Sequence, residues 1–106
     1  MKIAFDWQGT LDIHKELREM ALSLQDAGWE VVIISAIPVN LHNAREEEIK
    51  ASGIGLPYRI VVASEHYEQG LAKAKVMKEM GITIMVDDTE NVVKAIRDSG
   101  LKVLQI

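Results

Sequence analysis

The apolar positions of this chain gather into short, nearly continuous runs, separated by stretches with helical spacing and punctuated by glycine. Ile3-Ala4-Phe5 stops at Asp6, and Val31-Val32-Ile33-Ile34 runs into Ser35. Ile60-Val61-Val62-Ala63 follows Pro57-Tyr58, and Ile82-Thr83-Ile84-Met85-Val86 is closed by Asp87-Asp88. Leu101-Lys102-Val103-Leu104-Gln105-Ile106 half-alternates. Such runs predict strands apolar on both faces. Between the first two, Ile13, Leu17, Met20, Ala21 and Leu24 share a helical face, with Asp12 as N-cap and Gly28 as the stop. A second helix is expected from Asn40, its cap, to Ser52, ended by Gly53; its Arg45-Glu46-Glu47-Glu48 run reads as a solvated face. A third runs from Glu68 to Met80 with Lys73, Val76, Met77 and Met80 on one side, and Gly81 ends it. The fourth, Thr89 to Ser99, carries Val92, Val93 and Ile96 and stops at Gly100. Met20, Met77, Met80 and Met85 read as core filler.

Strands of this kind alternating with helices predict a three-layer α/β/α domain built on a doubly wound, five-stranded parallel sheet. Right-handed crossovers, with strands one to three winding one way and strands four and five on the other side of strand one, give the order 5-4-1-2-3. The order reverses between strands one and four, and ligands in such sheets bind there, beyond the strand C-termini. Asp6 ends strand one, and Asp87 and Asp88 end strand four. Three carboxylates are therefore expected to meet at the crevice, with Gly9 letting the chain turn and another group approach closely.

Length and charge narrow the choices. At 106 residues, 48% of them hydrophobic, the chain predicts one domain with a modest core. Twelve Lys and Arg against sixteen Asp and Glu give a net charge of -4, so there is no bulk basic field for nucleic acid. No apolar run nears the roughly 20 residues that span a bilayer, and the N-terminus enters a strand directly. The absence of cysteine excludes a disulfide framework and a thiolate metal site. A cytoplasmic protein without a membrane partner is the expectation.

Carboxylates crowded in a dry site raise one another's pKa, and a hard divalent cation relieves this. Mg²⁺ takes one or two carboxylates directly and completes its shell with water and phosphate oxygens. Ser35 adds a hydroxyl at the end of strand two. Lys73 adds an ammonium and is preferred to Lys75 because it shares the stripe of Met77 and Met80. A cation, a hydroxyl and an ammonium around a carboxylate make a phosphate site containing a nucleophile. His14, His42 and His66 show no metal-ligand spacing and read as surface or loop residues, His14 lying nearest in sequence to the Asp6 loop. For Trp7, stacking on a substrate base and amphipathic packing both remain open.

Asp6-Trp7-Gln8-Gly9-Thr10, Ser35 closing its strand, Lys73, and Val86-Asp87-Asp88 resemble, in order and spacing, the four motifs of the haloacid dehalogenase-like hydrolases. The resemblance covers nearly the whole chain. It implies that Asp6 attacks phosphorus to form an aspartyl-phosphate. It further implies that backbone N–H groups of the following loop, with Thr10, Ser35 and Lys73, hold the phosphoryl group. Mg²⁺ would then be bound by Asp6, the backbone carbonyl of Gln8 and Asp88, with Asp87 acting through water or exchanging roles with Asp88. Thr10 has a second use, a hydrogen bond within its own loop.

Two departures accompany the match. The family's phosphatases place a second Asp two residues after the nucleophile, to protonate the leaving group and activate water; here Gln8 stands there and cannot exchange a proton near neutral pH. Such general acid–base help is worth about 10²–10⁴-fold, so ordinary alkyl phosphates are expected to turn over poorly. No stretch is long enough for a cap domain, which implies an open site suited to a large, macromolecular phosphorylated substrate or to a lid from another copy of the chain. Two functions follow. One is an Mg²⁺-dependent phosphohydrolase or phosphotransferase, slow or restricted to good leaving groups. The other is a non-catalytic or regulatory module that binds Mg²⁺ and phosphate and acts through a partner.

Overall fold

The computed structural model describes residues 1–106. In chain order the elements are β1 (Lys2–Phe5), α1 (Lys15–Asp26), β2 (Glu30–Ile37), α2 (His42–Ala51), β3 (Tyr58–Val62), α3 (His66–Met80), β4 (Ile84–Asp87), α4 (Glu90–Asp98) and β5 (Lys102–Gln105). All five strands are parallel in the order β3-β2-β1-β4-β5, the order expected from the alternation of runs and helices.

The period-two pleat sends alternate residues of each run to opposite faces, and this builds two cores. Ile3, Phe5, Val31, Ile33 and Val86 pack with Ala21 of α1 and Ile49 of α2. Ala4, Val32, Ile34 and Met85 pack with Met77 of α3 and Val92, Val93 and Ile96 of α4. Phe5 is fully buried, so truncation to Ala would cost about 3–5 kcal/mol. Helices α3 and α4 meet at Gly70, where a β-carbon would lie 2.5 Å from the Val92 carbonyl oxygen and 2.6 Å from Ala95 Cβ. The missing side chain is what lets these helices cross so closely. No helix is long and apolar enough to cross a membrane.

The structure corrects several local expectations. Helix α1 starts at Lys15, so Ile13 is exposed and Asp12 is not its cap. Instead Asp12 Oδ1 accepts the Gly9 N–H at 2.7 Å, drawing the acid into the loop before the helix. A single turn, Val39–Leu41, precedes α2, so Asn40 caps nothing. Strand β2 does not end at Ser35. Ala36 and Ile37 continue it, because β3 pairs with it from Ile33↔Tyr58 to Ile37↔Val62. Met20 is exposed at the surface, while Met77 and Met85 are core residues. The largest correction concerns Arg45, which is buried at 5% exposure rather than solvated with its acidic neighbours.

Candidate active site

The geometry of the site begins in the sheet register. Phe5 of β1 aligns with Ile33 on one side and Val86 on the other, so the next residues, Asp6 and Asp87, emerge side by side. The Asp6 N–H donates to the Val86 carbonyl at 2.9 Å and fixes that adjacency. The two strand tips are therefore neighbours, as the topology required.

A tight loop, Trp7–Leu11, follows Asp6. Trp7 is 1% exposed and its indole Nε1 donates to Glu48 Oε1 at 2.7 Å, which settles it as a packing residue rather than a stacking surface. Arg18 lies 5.5 Å from the centre of its ring and donates to the carbonyls of Leu11 and Asp12. Gly9 adopts φ 75°, and a β-carbon there would fall 2.0 Å from Asp88 Oδ2. Glycine is thus required twice, for the left-handed turn and for the approach of the carboxylate. Because the Gly9 N–H is committed to Asp12, it is not free to hold a phosphoryl group.

Asp6, Asp87 and Asp88 each offer a carboxylate oxygen within 4.8 Å of the others. Lys73, 2% exposed on α3, bridges two of them: its Nζ lies 2.8 Å from Asp6 Oδ1 and 2.8 Å from Asp87 Oδ2. Lys75 is exposed, and so the ammonium of the site is that of Lys73. Asp87 is fully buried with both oxygens engaged, the second accepting the Thr89 N–H at 3.1 Å. Asp88 is half-buried on the crevice wall, with Thr89 Oγ1 donating to its Oδ1 at 3.2 Å. Thr10 is fully buried and donates to Asp6 Oδ2 at 3.4 Å, the local hydrogen bond foreseen for it.

Burial pushes the Asp6 carboxyl from 3.8 up to about 7; Lys73 opposes that rise and Asp87 adds to it. For Lys73, burial favours the neutral amine, but Asp6 and Asp87 outweigh it and hold the ammonium above its ordinary range. One ammonium against three carboxylates leaves an excess of negative charge on hard oxygen donors. Asp6 and Asp88 both reach the crevice with capacity beyond the Lys73 contact. That donor set fits Mg²⁺, which binds few carboxylates directly and draws its remaining ligands from water and phosphate.

The crevice above these groups has a volume of about 730 Å³ and is lined by Asp6, Gln8, Gly9, Arg45, Lys73 and Asp88 among others. Ser35 is fully buried beneath it and accepts a hydrogen bond from Arg45 Nη1, so it is the guanidinium that reaches the crevice. Arg45 Nη2 donates to Gln8 Oε1 at 2.8 Å. This residue was missed in the sequence because it opens a charged run, yet it stands four residues before buried Ile49. That spacing places both on the inward face of one helix. Among the histidines, His66 rather than His14 lines the crevice rim.

The chain is therefore a Rossmann-like three-layer α/β/α domain with an acidic cluster at its topological switch point. No family model and no curated protein matches it. Among solved structures it is similar to a chain of the Pnkp1/Rnl/Hen1 RNA repair complex, at 15% identity over 99% of this chain, with a TM-score of 0.74. A second structure of the Pnkp1/Rnl/Hen1 complex gives the same identity and TM-score. In those two structures this chain spans only 42% and 45% of the matched chain's length. A protein of the universal stress protein family from Burkholderia pseudomallei matches at 17% identity, with a TM-score of 0.64, over 99% of this chain and 94% of that one. At these identities the likeness is one of fold.

Proposed function

We propose that this domain is an Mg²⁺-dependent phosphohydrolase or phosphotransferase of the haloacid dehalogenase-like kind, acting through an aspartyl-phosphate at Asp6. The observation that carries this reading is the Asp6 carboxylate itself. It stands at the switch point, on an open crevice, with the Lys73 ammonium at 2.8 Å and Asp88 beside it. A nucleophile needs its oxygen reachable from solvent and its charge balanced by neighbours that also hold the incoming phosphoryl group. Lys73 meets both needs, since an ammonium has three donors and only two are taken by Asp6 and Asp87. Asp6 and Asp88 would hold the cation, with Asp87 orienting Lys73 from below. Bound there, Mg²⁺ would supply Lewis-acid polarisation of the phosphoryl oxygens.

In this reading Asp6 attacks phosphorus and water then attacks the aspartyl-phosphate. No group at position 8 shuttles protons, so turnover is slow on substrates whose leaving oxygen must be protonated. The site being open, a macromolecular phosphorylated substrate or a lid from a second copy fits it, and a cytoplasmic setting belongs to the same proposal. A chain of an RNA repair complex shares the fold, so phosphorylated nucleic-acid ends merit a place in a substrate screen alongside metabolites.

The test is hydrolysis of p-nitrophenyl phosphate with Mg²⁺ by the wild type, Asp6→Asn and Gln8→Asp. The expected result is activity that needs Asp6 and rises with Gln8→Asp by no more than about 10²-fold, the low end of general acid–base effects. The p-nitrophenolate leaves without a proton, so the new carboxylate helps only by activating water, and Arg45 would pair with it. Activity that survives Asp6→Asn would refute the reading. Stable phosphorylation without turnover would favour the regulatory module instead.

A further inference from the structure

Arg45 carries a charge that the protein only loosely compensates. Its nearest carboxylate oxygen, Glu48 Oε2, lies 3.7 Å from Nε, and the Glu48 side chain is half exposed. The other Glu48 oxygen accepts the Trp7 indole. Arg45 Nε is buried and has no hydrogen-bond partner. Leaving a guanidinium buried with a loose partner is costly, and an anion in the crevice that Arg45 lines would offset that cost.

The same guanidinium fixes Gln8. Arginine has donors only, so the part of the Gln8 amide that faces Nη2 is the carbonyl, and the NH₂ is turned away from it. Gln8 is exposed on the crevice wall, so this NH₂ is a donor for a bound molecule. Strands β2 and β4 flank β1 on opposite sides. Asp87 ends β4 and Asp88 follows it, while Arg45 is anchored to Ser35 of β2. Lys73 comes from α3, whose Met77 packs in one core, and Arg45 from α2, whose Ile49 packs in the core on the other face of the sheet. A phosphoryl group held on Asp6 by Lys73 therefore has Arg45 and the Gln8 amide on the other wall of the same crevice, within the space open to the rest of a substrate. Both groups offer N–H donors and one offers a fixed positive charge. Neither gives up a proton near neutral pH.

We propose that Arg45 and Gln8 form an anion subsite for the departing group, so that the substrate is a phosphoric anhydride, a phosphoryl group joined to a second acid. This rests on Asp6 being the nucleophile. An Asp6 carboxylate oxygen bonds to phosphorus as the bridging P–O bond breaks, and the electron pair leaves on the second acid. That acid is either a carboxylate or a phosphate that already carries one proton and departs as HPO₄²⁻, so that neither takes a proton from the protein. Water oxygen then attacks phosphorus, the bond to Asp6 breaks, and both protons of the water depart on the inorganic phosphate. An alcohol leaving as alkoxide would need the proton that Gln8 and Arg45 withhold.

The experiment compares Mg²⁺-dependent kcat/KM on pyrophosphate, acetyl phosphate and p-nitrophenyl phosphate for the wild type and Arg45→Lys. The wild type is expected to prefer at least one anhydride to the aryl ester. Arg45→Lys, which keeps the charge but loses the fork, is expected to lower kcat/KM on that anhydride at least about tenfold more than on the aryl ester. Loss on pyrophosphate identifies a phosphate leaving group, and loss on acetyl phosphate a carboxylate. Equal losses on all three, or a wild type that favours the aryl ester over both anhydrides, would overturn the proposal. Pyrophosphate binding to Asp6→Asn, measured by calorimetry with and without Arg45→Lys, reads the subsite without turnover. Weakening by at least about tenfold supports it, and an unchanged affinity overturns it. Activity that survives Asp6→Asn would instead remove the nucleophile while leaving this binding result to stand or fall alone.

Discussion

Replacing Asp6 by Asn removes a buried acid whose ionisation the folded protein resists. Burial raises its pKa from 3.8 to about 7 even with Lys73 at 2.8 Å. The folded state therefore holds a proton between about pH 4 and pH 7 that the unfolded chain has released, and wild-type stability falls as pH rises through that window. At about 1.4 kcal/mol per pH unit the loss reaches about 4 kcal/mol by pH 8. Asn carries no such charge, and its carbonyl still accepts from Lys73, which keeps Asp87 as counter-ion. In urea unfolding at a series of pH values, Asp6→Asn should match the wild type near pH 4 and gain on it steadily, becoming more stable by up to about 4 kcal/mol at pH 8. Mg²⁺ at pH 8 should close part of that gap, adding about 2.7 kcal/mol to the wild type at a hundredfold excess over Kd and far less to the variant. A difference that does not change with pH, or a variant that loses ground as pH rises, would mean that Lys73 outweighs burial and keeps Asp6 ionised.

Two glycines separate site from scaffold. Gly9→Ala forces a β-carbon 2.0 Å from Asp88 Oδ2 at φ 75° and should cost about 1–3 kcal/mol while abolishing the Mg²⁺-induced rise in Tm, checked by thermal melts with and without the cation. Gly70→Ala drives into the Val92 carbonyl oxygen at 2.5 Å and should cost a similar amount, about 1–3 kcal/mol, while leaving the Mg²⁺ response intact in the same melts.

Much of this molecule was legible in its sequence because the informative features are local. Runs such as Val31–Ile34 admit little but buried strands, and glycine stops separate them from helices. Right-handed crossovers then leave few orders, and the doubly wound one, with strands four and five on the other side of strand one, is the order the sheet adopts. Asp6, Asp87 and Asp88 were legible as a cluster because the ends of strands at a switch point must converge. Lys73 was legible because it shares a stripe with Met77, which is fully buried.

The features missed depend on long-range contacts. Arg45 meets Gln8 across 37 positions, and within its own helix it looks like the start of a solvated Arg-Glu-Glu-Glu run. Only its spacing from Ile49 marks it as inward. Ser35 reads as a strand end because it is polar, but pairing with β3 carries the ladder past it. Trp7 could not be assigned without Glu48, which accepts its indole N–H from a different layer of the fold.

The most direct test of the proposed chemistry is to incubate the protein with Mg²⁺ and acetyl phosphate, quench rapidly in acid, and locate any added phosphoryl group by peptide mass mapping. One phosphoryl group on the peptide that contains Asp6, absent from Asp6→Asn and released by hydroxylamine, is the expected result. A phosphoryl group on another residue, or none while phosphate is released at a rate unaffected by Asp6→Asn, would contradict the assignment of Asp6 as nucleophile.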